Sequence, residues 1–401
     1  MTSSRRIAWS AWVVVSTFYA YQYILRVMPS ILLDDIMAQF NIDAAVFGQF
    51  SGVYYIGYAL MHIPLGILLS RYKSRFIITT CILVTVIGTL PILFCHHWLY
   101  LIVGRALVGM GSSGAILGVF NVVRTNFPEK HFSRMLSLSV TIGLLGAIYG
   151  GSPVGYLCHV FGYQWVVQSF SLVGLALAIF AYFMLPKTKP ERVDSSIWDD
   201  VKEVFLNGRV ISLCFFSGLM VGPIEGFADI WGPQYLKNVY GFDGVLSSSL
   251  PSMIFMGMCF GSPVLSLIAE RTNYYLGSIA GAGIIMAAVF FSLIFKSMTP
   301  QIMTVSFVLV GVCCSYQILT VYMAGQYAPK RVAELTGAAA NMIIMSFGYL
   351  FHTVIGLVLT EFGGKEDPYA FTYAMAIIPL GLVMGVLGVW GLSYKERQRL
   401  P

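Results

Sequence analysis

Pro186-Lys-Thr-Lys-Pro-Glu-Arg-Val-Asp-Ser-Ser-Ile-Trp-Asp-Asp-Val-Lys-Glu203 is the one long polar segment in a chain otherwise built of apolar runs. Most of those runs carry no charged side chain over about 20 residues, the length an α-helix needs to cross bilayer hydrocarbon. Of 401 residues, 57% are hydrophobic and 10% charged, and the mean hydropathy is +0.78. Soluble domains carry about 25% charged residues. The deficit reads as a polytopic membrane protein, because hydrocarbon does not tolerate scattered ions. The polar segment then becomes an aqueous linker, 186–208, between two membrane halves, 1–185 and 209–401.

Working outward from the linker, uncharged windows run over 44–70, 76–104, 135–186, 244–269, 272–295, 297–329, 335–360 and 368–394. The third holds two spans that turn near Cys158–Gln164. Spans near 7–32, 98–123 and 210–236 bring the count to twelve. With the N-terminus inside, only Lys237, Lys296 and Lys365 fall outside, Arg26 and Arg105 fall within spans, and the rest of the 24 Lys and Arg are cytoplasmic. By the positive-inside rule both termini are expected in the cytoplasm, in a plasma or bacterial inner membrane. The halves repeat at an offset of about 200 residues: Ser70-Arg71 matches Glu270-Arg271, and Phe127-Pro128 matches Ala328-Pro329. Such duplication is the layout of alternating-access carriers.

Several classes drop out. The basic Ser3-Ser-Arg5-Arg6 start precedes an apolar run longer than that of a cleavable signal. The net charge of +6 is not gathered on a soluble domain, so no nucleic-acid partner is expected. The seven cysteines lack C-x-x-C spacing, which argues against a metal site; Cys95 and Cys158, near outer helix ends, are a candidate pair, with free thiols the default. No nucleophile–base pair, ligand cluster or phosphate-cradling loop is visible, so neither an enzyme, a cofactor nor ATP as energy source is expected.

Gly66-Ile-Leu-Leu-Ser70-Arg71-Tyr-Lys73-Ser-Arg75 resembles the G-x-L-x-D-R-x-G-R-[KR] signature of the major facilitator superfamily, with Ser70 for the usual aspartate and Lys73 for the second glycine. Arg105-Ala-Leu-Val-Gly109-Met-Gly111 resembles that family's R-x-x-x-G-x-G pattern, and the likeness extends over essentially the whole chain. It implies an all-α fold of twelve transmembrane helices in two six-helix bundles. Gly150-Gly-Ser-Pro153-Val-Gly155 is not the G-P-x-x-G-G element of drug antiporters. Tyr21-Gln-Tyr-Ile-Leu-Arg26 is similar to the first helix of organophosphate antiporters and anion–cation symporters, where such an arginine grips an anion. Asp229-Ile-Trp231-Gly-Pro233-Gln-Tyr235-Leu236-Lys237 is similar to their seventh helix, without the second basic residue that phosphate exchangers use. The resemblance implies gating roles for Arg71, Arg75, Glu270, Arg271 and Arg105.

A charge at mid-membrane costs about 2.5–3.5 kcal/mol on insertion scales, so Arg26 needs a partner or a wet cavity. Its planar five-donor fork suits bidentate capture of a carboxylate or phosphate; the alternative is an ion pair with an acid on span seven. Glu225 and Asp229, spaced i and i+4, share a helical face there. Glu225 is the expected proton-coupling group, and Asp229 either assists or sits wet at an outer gate. For Arg105 the family resemblance implies helix packing or proton relay, with direct substrate contact as the alternative. Tyr21, Gln22, Tyr54 and Tyr58 are candidate substrate contacts in the first half, and Tyr316, Gln317 and Asn341 in the second. The expected protein is a monomeric carrier in the lipid bilayer, moving a small anionic or zwitterionic organic solute with protons; the rival reading is efflux of a drug or siderophore-like compound.

Overall fold

The computed structural model describes residues 3–128, 131–186 and 197–397. The first half contains α1 (Ser3–Val27), α2 (Leu33–Phe40), α3 (Ala44–Arg71), α4 (Ser74–Phe94), α5 (Trp98–Asn126), α6 (Phe132–Gly150), α7 (Ser152–Phe161) and α8 (Tyr163–Met184). The second contains α9 (Ile197–Leu206), α10 (Gly208–Glu225), a π-helical stretch (Gly226–Trp231), α11 (Gly232–Tyr240), α12 (Gly244–Thr272), α13 (Tyr275–Ile294), α14 (Pro300–Cys314), α15 (Gln317–Tyr327), α16 (Ala333–Glu361) and α17 (Pro368–Arg397). Among the described residues, ten helical stretches are long and apolar enough to span a bilayer, and the α6–α7 pair, bent by 41°, is an eleventh. With α1, uncharged from Ile7 to Leu25, the count is the twelve of the sequence reading.

The span boundaries differ from the uncharged windows where backbone chemistry intervenes. The first span stops at Val27, not residue 32, because Pro29 has no N–H to continue the ladder, and a 3-10 turn, Met28–Ser30, follows. The turn in window 135–186 falls at Gly162, whose φ of 83° is a conformation that suits glycine. The seventh span runs as α10, the π-helical stretch and α11, from Gly208 to Tyr240.

The chain divides into two compact units, Met1–Ile42 with Val53–Ser195, and Asp43–Gly52 with Ser196–Pro401. The expected boundary at 185/209 is corrected in two respects. The start of α3 packs in the second unit, where the Ala45 amide donates to Thr360 Oγ1 at 3.0 Å. The described part of the linker, α9, also belongs there: Arg331 pairs with Asp200 and Glu203, and Asn207 Nδ2 donates to the Tyr327 carbonyl at 2.8 Å. Linker residues 187–196 lie outside the described residues.

Bilayer-exposed helices gain little from hydrophobic association and pack through small residues that let backbones approach. In the first unit a Cβ on Gly57 would overlap the Ala106 carbonyl oxygen, and one on Gly109 the Tyr54 carbonyl oxygen, so α3 and α5 touch backbone to backbone. In the second unit a Cβ on Gly257 would overlap the Val308 carbonyl oxygen, and one on Gly311 that of Ile254, which joins α12 and α14 in the same way. Both glycine pairs recur at the offset of about 200 residues found in the loops. All seven cysteines, Cys95 and Cys158 included, are free thiols.

Candidate functional site

In the first unit the polar residues of α1, α3 and α5 converge. Arg26 is buried, with 6% of its surface exposed. Its guanidinium carbon stands 5.1 Å from the ring centroids of both Tyr23, one turn earlier on α1, and Tyr55 on α3. Cation–π contacts stabilise a desolvated cation through the ring quadrupole and do not consume its in-plane N–H donors. The Tyr54 hydroxyl donates to Gln22 Oε1 at 2.6 Å. Tyr54, Tyr58 and His62 follow one face of α3: the Tyr54 and Tyr58 rings stack at 6.2 Å, and His62 lies 5.2 Å from Tyr58 with Nδ1 3.1 Å from Ser113 Oγ.

Tyr21 departs from the expected role. Its hydroxyl donates to the Phe170 carbonyl at 3.0 Å and packs α1 on α8. Five residues before Arg26 on an α-helix is a different face, whereas Gln22 at i−4 shares Arg26's face. Arg105 is also buried. It donates from Nη1 to the Leu25 carbonyl at 2.7 Å and from Nη2 to the Arg26 carbonyl at 2.8 Å, with its guanidinium carbon 4.9 Å from the Tyr54 ring centroid. It is a fastening of the end of α1. Among the expected gating residues, Arg75 donates to the carbonyls of Leu185 at 2.8 Å and Phe183 at 3.4 Å, capping the end of α8, while Arg71, Glu270 and Arg271 are exposed.

In the second unit Glu225 ends α10 and is buried. Asp229 lies inside the π-helical stretch with no exposed surface, so the expectation of a wet outer-gate residue is corrected. The two acids are not spaced by α-helical turns, since π-helical bonding runs i to i+5, as the Gly232 amide does in reaching the Phe227 carbonyl. Pro233 explains part of this: in an α-helix its nitrogen would have to serve the Asp229 carbonyl, and it has no hydrogen. Tyr316, fully buried, donates to the Ser217 carbonyl at 2.6 Å and ties the α14–α15 break to α10. Gln317 Nε2 donates locally to the Cys314 carbonyl at 3.2 Å, and Asn341 is half-buried on α16. Tyr316 and Gln317 thus hold the helix break together.

Sequence reasoning missed two partners. Tyr23 is at i−3 from Arg26, a spacing visible in the sequence, and Ser113 meets His62 only through the packing of α5 on α3. Among the described residues no group of three or more His, Cys, Asp or Glu is gathered as a metal site.

Comparisons with known proteins agree with this architecture. The chain is 21% identical over 391 residues to a quinolone resistance transporter of Acinetobacter baumannii, covering 90% of this chain and 89% of that protein. It is 22% identical over 391 residues to a nitrite extrusion protein of Bacillus subtilis, covering 94% and 92%. In structure it superposes with a TM-score of 0.81 on a bacterial homologue of the human lysosomal transporter Spinster, at 14% identity and over 99% and 98% of the two chains. The model of the Major Facilitator Superfamily matches residues 11–351, and the chain, an integral membrane protein with the family's twelve-helix fold, belongs to that superfamily of transporters.

Proposed function

We propose that this transporter is a secondary active carrier that takes up a small anionic or zwitterionic organic solute (an organic acid, sugar acid, amino acid or short peptide) with protons, by alternating access. The observation that carries the reading is Arg26: a guanidinium buried in an otherwise uncharged span, held between two aromatic rings. A cation retained there against a cost of about 2.5–3.5 kcal/mol is the natural anchor for a carboxylate. Gln22, Tyr54 and Tyr58 supply hydrogen-bonding and ring surface beside it. The buried carboxyl of Glu225, at the end of α10 in the first span of the second half, is the coupling acid in this reading. The carrier works as a monomer in a bacterial inner membrane, with both termini in the cytoplasm.

The test is uptake into proteoliposomes holding the purified chain, with a proton gradient imposed and carboxylates, amino acids and dipeptides screened. Uphill accumulation that collapses with a protonophore is expected. Arg26→Lys, which keeps the charge and loses the fork, should lower uptake by about tenfold or more. An Arg26→Lys protein with unchanged half-saturation and rate overturns the anion-grip reading. The names of the relatives, one for quinolone resistance and one for nitrite extrusion, favour a second reading, efflux. Proton-driven extrusion of a drug, with no carboxylate accumulated, would establish it instead. For orientation, in a cysteine-free background Glu366→Cys should react with an impermeant reagent from outside intact cells and Lys73→Cys should not.

A further inference from the structure

The end of α1 presents a hydrogen-bonding deficit that the chain cannot repair locally. In an α-helix the Leu25 carbonyl is served by the amide of residue 29, and residue 29 is proline. The acceptor is buried, and leaving it without a donor is costly. Arg105 Nη1 fills that place at 2.7 Å, Arg105 Nη2 donates to the Arg26 carbonyl at 2.8 Å, and Ser30 Oγ donates to the Val27 carbonyl at 2.9 Å. Three successive carbonyls at the C-terminal end of α1 are thus met by side chains, two of them by one guanidinium whose charge also suits that end of the helix dipole.

The base from which Arg105 reaches is rigid. One turn along α5, Gly109 packs directly on the Tyr54 carbonyl, and the Tyr54 ring lies against the Arg105 guanidinium. Tyr54 in turn holds Gln22, on the Arg26 face of α1. The backbone that carries Arg26 is therefore pinned at its own carbonyl and at the one before it.

We infer that Arg105 is a positioning residue for Arg26: it substitutes for the missing Pro29 N–H and so fixes where the Arg26 guanidinium sits between Tyr23 and Tyr55. The inference deepens the proposed anion site and rests on that reading for its functional meaning, though the positioning can be measured separately. The probe is phenylglyoxal, which modifies guanidinium groups, applied to the purified full chain, with rates at Arg26 and Arg75 followed by peptide mass spectrometry. Arg105→Met should raise the Arg26 rate relative to Arg75 by about tenfold, the worth of a hydrogen bond from a charged donor. Pro29→Ala/Arg105→Met, which returns a backbone N–H to the Leu25 carbonyl, should bring it most of the way back. Arg105→Lys, which keeps the cation and is the fallback where the methionine variant does not fold, should fall between.

Equal acceleration at Arg26 and Arg75 would mean general loosening and would overturn the inference, as would a rise that Pro29→Ala does not reverse or an Arg105→Lys rate equal to wild type. A second arm adds a mixture of succinate, lactate and glutamate to the unmutated protein. Protection of Arg26 supports the anion site. If protection is absent while Arg105→Met still accelerates the reaction, the transport reading fails and the positioning stands; protection with no acceleration has the opposite meaning.

Discussion

At the end of α1 the backbone tightens into a 3-10 turn over Met28–Ser30; about 200 residues later, after α10, it widens into a π-helix over Gly226–Trp231. A proline accompanies both departures, Pro29 within the 3-10 turn and Pro233 two residues beyond the π-helix, and buried charges accompany both, Arg26 just before the turn and Asp229 within the π-helix. The chemistry is opposite. The first half carries buried cations, Arg26 and Arg105, among tyrosine rings, whereas the second carries buried acids, Glu225 and Asp229. Beneath this the frame is the same, since Gly57 and Gly109 pack α3 on α5 as Gly257 and Gly311 pack α12 on α14. Duplication has kept the backbone contacts, where any added atom clashes, and let the side chains of the first helix of each half diverge.

The largest expected effect tests the acid side of the comparison. Glu225→Gln holds the coupling position in a protonated-like form, so gradient-driven accumulation should be lost while exchange between two loaded compartments survives, since exchange needs no return of an empty carrier. Asp229→Asn should show the same pattern if the π-helix makes both acids one coupling unit, and should retain accumulation if Glu225 acts alone. Uphill uptake measured beside exchange separates these outcomes, and a Glu225→Gln protein that still concentrates solute removes Glu225 from the coupling role.

Next comes the shared frame. Gly109→Ala and Gly311→Ala each push a methyl group into a carbonyl of the facing helix, and each should destabilise by about 1–3 kcal/mol, as overpacking does. Thermal unfolding in detergent should show similar losses for the two. A large loss in one half with none in the other would mean that the duplicated contacts do not bear equal weight.

Smaller effects belong to the surface arginines. Arg75→Ala removes a charged donor from the end of α8 and should cost about 1 kcal/mol. Arg331→Ala frees α9 from the second unit, yet its side chain is 61% exposed and an exposed ion pair contributes about 0–1 kcal/mol. Unfolding midpoints should therefore rank Arg75→Ala below Arg331→Ala, and the reverse order would assign the linker helix a larger structural part than its exposure implies.

The spans were legible in the sequence, because exclusion of charge from hydrocarbon acts on every residue of a span and leaves a mark in local composition. So was the likeness of the two halves, carried by short loop motifs at a fixed offset. Pro29, which the span expected over 7–32 ran through, ends the first helix and leaves the Leu25 carbonyl without its α-helical donor. The residue that answers it, Arg105, lies 80 positions away and was reached only through the packing of α5 on α1. Tyr21 and Gln22 are neighbours in sequence with opposite fates, one spent on the α8 backbone and one beside Tyr54, because adjacent helical residues face different elements. The π-helix, likewise, was hidden: Pro233 removes one α-helical donor, but whether the backbone kinks, breaks or shifts to i+5 bonding depends on the neighbours that hold it, here Trp231 donating to the His352 carbonyl and Phe227 set among Phe290 and Phe307. Composition and periodicity determined which segments enter the bilayer; hydrogen-bond partners distant in the chain decided how its buried charges are held, since a buried polar group takes its partner from whatever the fold brings within about 3 Å.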